Sequence, residues 1–119
     1  MANVDYQALL HQQSGVISRR QVESAGLTAN DVRRLVRRRE LTRWAPGVYV
    51  AHTGPPTWLQ RAWAAVLYAW PAALCDDSAL RADDGPGRGG RDDSVIHVAL
   101  ERDRRINPIA GGRLHRLPG

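Results

Sequence analysis

An α+β, mostly helical chain is what this sequence predicts, and three observations predict it. Apolar residues recur at helical spacing in several short segments, as in "YQALL" and "DVRRLVRR". Runs rich in Val, Ile, Leu and Trp, bounded by Pro and Gly, read as short strands: "LTRW" with "GVYV", then "SVIHVAL" with "GRLHRL". Helix-start signals, a Ser or Thr followed three residues later by Gln, stand at Ser18/Gln21 and Thr57/Gln60. A chain of 119 residues, 43% hydrophobic and 24% charged, suits one ordinary domain or a small domain with an appendage.

The elements follow in order. Over residues 4–13, Tyr6, Leu9 and Leu10 sit at i, i+3 and i+4, and Gly15 stops that helix. In "GVISRRQVESAGLT", Ser18 and Gln21 fit a capping box, Ile17 and Val22 a hydrophobic staple, and Gly26 the left-handed residue that ends a short helix over 19–25. Thr28 is the candidate N-cap of the next helix, 29–38, with Asp31 in its first turn, where a carboxylate favours the helix dipole. Val32, Leu35 and Val36 make its apolar stripe. Asn30, Arg33, Arg34 and Arg37 project to the opposite face, Arg38 lies at the flank, and Arg39 falls near the stripe, where the helix should end.

"LTRW" and "GVYV" then make a hairpin through Ala45-Pro46. Two short helices, the second basic, followed by a hairpin give the pattern of a winged helix-turn-helix over about 1–53, with Gly26 in the turn. Residues 54–119 read as a helical and small β appendage, the start of a second domain. Its helix over 58–70 is apolar nearly all round, with Trp58, Leu59, Ala62, Trp63, Val66, Leu67 and Trp70, until Pro71 breaks it. "AALCDDSALRA" reads as a further helix and "DDGPGRGGRDD" as a surface loop. The two strands around "ERDRRINPIAGG" complete the chain.

Charge is unevenly spread. The net charge is +5, and residues 1–50 carry eight Arg against Asp5, Glu23, Asp31 and Glu40, whereas the rest is nearly balanced. A basic N-terminal half implies a polyanionic partner. An Arg-rich, Lys-free composition has a plain source in a GC-rich genome, but that does not explain clustering on one helix face. On this reading double-stranded DNA is the partner. Backbone contacts would come from Arg19, Arg20, Arg38 and Arg43, and from the amides behind the caps Ser18 and Thr28. Base reading would fall to Asn30, Arg33, Arg34 and Arg37, since Arg pairs bidentately with guanine and Asn with adenine.

Other chemistry finds little support. The absence of lysine excludes a P-loop lysine, a Schiff base and the catalytic lysine of a restriction-type nuclease. Cys75, alone, excludes an intrachain disulfide and a cysteine cluster. His97 and His115 would face each other if their strands pair, but no further metal ligand is spaced for them. The Asp pairs 76–77, 83–84 and 92–93 read as solvated loop, and Ser78 lacks a histidine motif beside it. No catalytic residue, metal or cofactor is expected. Trp44 and Tyr49 are expected to pack the hairpin on the helices, and Trp58, Trp63 and Trp70 to fill the core. The N-terminus lacks signal-peptide features, and the longest apolar run, 62–75, is too short to span a bilayer, so a cytoplasmic protein is expected.

The stretches "GVISRRQVESAGLTANDVRRLVRRRELTRWAPGVYV", "PPTWLQRAWAAVLYAWPAALCDDSALRA" and "VIHVAL…RLHRL" resemble the N-terminal part of actinobacterial proteins with an AbiEi-type antitoxin winged-helix domain. Some relatives carry that region ahead of a very-short-patch-repair-like endonuclease domain. The resemblance implies DNA binding, autorepression of an operon and, in a type IV AbiE-like toxin–antitoxin system, a nucleotidyltransferase-like toxin as partner. This sequence ends at Gly119, where the nuclease domain of the longer proteins would begin. A DNA-targeting N-terminal fragment of such an endonuclease is therefore the alternative. A module that holds a protein partner through the Trp-rich helix is a third reading.

Overall fold

The computed structural model describes residues 5–51, 54–84, 94–107 and 111–116. They form five helices and six strands, an α+β chain with more helix than strand: α1 (Tyr6–Gln12), β1 (Val16–Ser18), α2 (Arg19–Ser24), α3 (Ala29–Arg37), β2 (Thr42–Ala45), β3 (Val48–Val50), α4 (Trp58–Tyr68), β4 (Ala73–Leu74), α5 (Asp76–Asp84), β5 (Ile96–Leu100) and β6 (Gly112–Arg116). The chain divides into two units, Met1–Ala64 and Ala65–Gly119, and the division falls inside α4.

In the first unit, local chemistry sets each helix. The Asp5 carboxylate accepts from the Gln7 amide and caps α1. Ser18 and Gln21 form the full capping box of α2, and Gln21 is held in turn by reciprocal amide bonds with Gln13. The Gly26 amide donates to Glu23 O and the Leu27 amide to Val22 O, a Schellman ending with Gly26 at φ +94°. A capping box of Thr57 and Gln60 opens α4. The Gln60 side chain also donates to Ser14 O.

Three strands join these helices in an antiparallel sheet of order β1-β3-β2. The sequence pattern predicts only the last two. In β1, Val16 and Ile17 are fully buried, and Val16, Ile17 and Ser18 pair with Val50, Tyr49 and Val48. Ile17 is thus a strand residue as well as the residue ahead of the α2 cap. With Leu10, Val22, Val32, Leu41 and Tyr49 it forms the core, against which Tyr6, Leu9, Leu27, Leu35 and Val36 pack. Both the staple pair and the apolar stripe of α3 therefore lie where their spacing requires. The hairpin turns at Gly47, φ +73°, and a Cβ there meets nothing within 4 Å. Gly47→Ala should accordingly cost backbone strain alone, about 1–2 kcal/mol. Urea unfolding measures this, and a larger loss would show that the turn is more crowded than its geometry indicates.

Two aromatic expectations need correction. Tyr49 is buried, but Trp44 is 38% exposed. The register of β2 on β3 shifts between Arg43 and Ala45, and such a bulge re-aims the intervening side chain. Likewise Trp70 is 46% exposed, beyond the end of α4, and Leu59 of α4 is 51% exposed, so the Trp-rich stretch is not wholly core.

In the second unit β5 is central, with β4 antiparallel on one side and β6 parallel on the other. Ile96, Val98 and Leu100 are buried and alternate with half-buried His97 and Ala99. "AALCDDSALRA" is not one helix as expected: Ala73–Leu74 pair with Ala99 and Val98, and α5 starts only at Asp76. The Ser78 hydroxyl accepts from the His97 amide at 2.7 Å and ties α5 to β5. Of the loop-like "DDGPGRGGRDD", Asp83 and Asp84 belong to α5 and residues 85–93 lie outside the described residues.

Candidate nucleic-acid interface

Helix α3 is built to be rigid at both ends. At its start the Thr28 amide donates to Asp31 Oδ2 at 2.8 Å and the Asp31 amide to Thr28 Oγ1 at 3.2 Å. The Thr28 amide first, its hydroxyl next and then Arg34 outweigh desolvation and hold the Asp31 carboxyl below the usual carboxylate range. A folded pKa below the unfolded one means that this cap is fully formed above the ordinary carboxylate range. It is lost as pH falls through the lowered value.

At its other end the Arg39 amide donates to Val36 O and the Glu40 amide to Leu35 O, which again is a Schellman ending. Here Arg39, not glycine, takes the left-handed position, at φ +62°. The helix therefore ends at Arg37 with Arg38 as its cap, and Arg39 is exposed instead of joining the stripe. An arginine there costs roughly 1 kcal/mol relative to glycine. Arg39→Gly should stabilise the fold by about that much and, if this face is a nucleic-acid interface, weaken DNA binding. Denaturation and gel-shift titration of one preparation test both halves, and unchanged affinity would remove Arg39 from the interface.

Between these ends the helix separates its faces. Val32 is buried and Leu35 and Val36 are partly so, while Asn30, Arg33, Arg34 and Arg37 are exposed. Arg33 donates to Asn30 Oδ1 and Arg34 pairs with Asp31, each three residues along the helix. Arg19 is bound to Glu23 at 3.2 Å. Arg20, Arg37, Arg38 and Arg39, with Arg43 on β2, are exposed and have no ion-pair partner among the described residues.

The two caps differ from expectation. Ser18 is buried, 4% exposed, and its hydroxyl accepts from the Gln21 amide. Nearby, the Ser18 amide donates to Gln21 Oε1 and the Arg19 amide to Gly47 O. The start of α2 thus has little left to offer a phosphate, because its amides hold the sheet and the cap together. Thr28 is exposed, but its amide is committed to Asp31. Arg39 is the residue the sequence reading passed over. Helical periodicity put it on the apolar side, and only the left-handed turn swings it out.

Outside this surface, the described residues of the second unit include a cluster of ligand-type side chains. The expectation that nothing accompanies His97 and His115 is corrected: Cys75 Sγ, an Asp76 carboxylate oxygen and a His115 ring nitrogen all lie within 4.8 Å of one another. His97 Nδ1 is 3.0 Å from His115 Nε2. Burial, and then the Asp76 carboxylate, push the Cys75 thiol up, so the free thiol is a poor nucleophile near neutral pH.

Helices, antiparallel sheet and one arginine-lined helix face make the first unit a small α+β module with a basic surface. Residues 5–52 match the family AbiEi_4, described as "Transcriptional regulator, AbiEi antitoxin". The matched segment runs from the α1 cap to just past β3 and agrees with the sequence resemblance. No curated protein matches the chain. No helix among the described residues is long and apolar enough to cross a membrane.

Proposed function

We propose that the first unit is a winged helix-turn-helix that binds double-stranded DNA sequence-specifically and represses transcription, its own operon included, as the antitoxin of a type IV AbiE-like pair. The observation that carries this reading is α3. It holds Asn30, Arg33, Arg34 and Arg37 in solvent on the face opposite Val32, with both ends fixed. Supporting it are the element order α1-β1-α2-α3-β2-β3, with the last two strands as the wing, and Arg43 on that wing. In this reading α3 enters the major groove, where an arginine finds guanine O6 and N7. Arg20, Arg38, Arg39 and Arg43 meet phosphates on either side.

The chain acts by binding, without cleavage. A restriction-type nuclease site combines metal-holding carboxylates with a lysine, and this sequence has no lysine. Footprinting on the chain's own upstream region, followed by a salt titration on the protected duplex, tests the proposal. Affinity should fall with salt with a log–log slope of about −0.9 per phosphate contacted. The duplex should be recovered intact in Mg²⁺. A slope near zero would sink the nucleic-acid reading, and metal-dependent cutting would make the chain an enzyme.

A second reading, contact with a nucleotidyltransferase-like toxin, is favoured by the exposure of Trp70, a large apolar side chain that a partner would cover. Co-purification of a neighbouring gene product with the wild-type chain but not with Trp70→Ser supports it. Equal recovery by both excludes that surface.

A further inference from the structure

The register of the second sheet brings four ligand-type side chains together. In the antiparallel ladder Ala73 is opposite Ala99 and Leu74 opposite Val98. Continuing by one residue sets Cys75 opposite His97, and the Cys75 amide does donate to His97 O at 3.1 Å. On the other side of β5, His97 pairs with Arg113 and Ala99 with His115 in the parallel ladder. Residues two apart on a strand share a face, so His97 and His115 are diagonal neighbours on the face that also carries Cys75. Asp76 follows Cys75 at φ +50° and opens α5.

The contacts converge on a single atom. His115 Nε2 is 3.0 Å from His97 Nδ1 and 3.5 Å from Asp76 Oδ2, and Cys75 Sγ lies within 4.8 Å of an Asp76 carboxylate oxygen and a His115 ring nitrogen. The two imidazole rings have centroids 5.2 Å apart and are tilted by 41°. An imidazole nitrogen carries at most one hydrogen, so His115 Nε2 cannot donate to both His97 and Asp76. One cation between them would accept a lone pair from each. Around tetrahedral zinc, with Zn–N near 2.0–2.1 Å and Zn–S near 2.3 Å, ligand atoms sit roughly 3.3–3.7 Å from one another. The His115–His97 and His115–Asp76 pairs, at 3.0 and 3.5 Å, are near that spacing, and Cys75 Sγ, within 4.8 Å of Asp76 and His115, would close in on the ion.

We propose that Cys75, Asp76, His97 and His115 form a binding site for a transition-metal dication. Zinc is the ion that a donor set of one thiolate, one carboxylate and two imidazoles suits best. The ion ties β4, β5, β6 and the start of α5, and so fastens a sheet whose first strand has two residues.

The test is titration of the tag-free full chain with Zn²⁺ and with Co²⁺ as its spectroscopic substitute. Equimolar binding is expected, with a thiolate-to-cobalt charge-transfer band and the visible absorption of tetrahedral Co²⁺. Because Cys75 is the one cysteine, that band identifies the site without any variant. Cys75→Ser should abolish the band. His115→Ala should weaken Zn²⁺ binding by more than the roughly 10–100-fold that loss of an outer hydrogen bond costs a metal site. Wild-type chain that binds substoichiometrically, or that binds Co²⁺ without the thiolate band, overturns the proposal. So does Zn²⁺ affinity unchanged in both variants.

Discussion

Replacing Arg33, Arg34 and Arg37 together by alanine should remove most of the sequence-specific DNA binding proposed for the first unit. Each good bidentate base contact contributes about 1–3 kcal/mol, so three of them account for roughly 3–9 kcal/mol if additive. That is close to the whole gap of about 4–10 kcal/mol by which specific binding exceeds non-specific binding. All three side chains are exposed, and of their contacts only the Arg34–Asp31 and Arg33–Asn30 bonds are lost, so the variant should fold. Gel-shift titration on the footprinted duplex and on random DNA measures the effect, with circular dichroism to check the fold. Arg38→Ala, at the flank, should instead lower affinity for every sequence alike and reduce the salt slope by about one. If the triple variant keeps its preference for the footprinted site, α3 is not the reading helix.

The largest expected loss of stability lies at Ile17. It is fully buried, pairs with Tyr49 across the sheet and packs under α2 and α3. Ile17→Ala leaves a cavity at the meeting point of three elements and should cost about 2–5 kcal/mol. Small domains hold only about 5–15 kcal/mol in all, so the first unit would be brought near its unfolding threshold. Urea denaturation followed by tryptophan fluorescence and by far-UV circular dichroism measures this. A loss below about 1 kcal/mol would mean that the neighbours close over the gap.

What the sequence made legible was whatever chemistry acts within one helical turn. Ser18 with Gln21, Thr28 with Asp31 and Thr57 with Gln60 each bond across three residues, so spacing alone reveals them. Polar and apolar faces of α3 follow the same local periodicity. Strand β1 escaped because three residues are too few to show alternation and because its partner, β3, lies some thirty residues on. Cys75 escaped for the same reason: "AALCDD" has helix-forming composition, and only pairing with β5 makes its first half a strand. The outward turns of Trp44 and Arg39 depend on a bulge and a left-handed residue, which periodicity arguments average away.

The Arg19 amide donates to Gly47 O at 2.8 Å, and the Ala51 amide to Gly15 O at 2.7 Å. The first residue of α2 is thereby bonded to the hairpin turn, and the exit of the hairpin to the entry of β1. These bonds tie the hairpin to the helix pair in the free unit and so favour a preorganised surface. The entropy of aligning hairpin and helix is then lost on folding and not again at each encounter with a partner. The same rigidity limits what is accepted. If the unit binds DNA as proposed, a duplex whose groove fits α3 but whose backbone misses Arg43 would find little compensating movement, and discrimination would extend to DNA shape as well as to base edges.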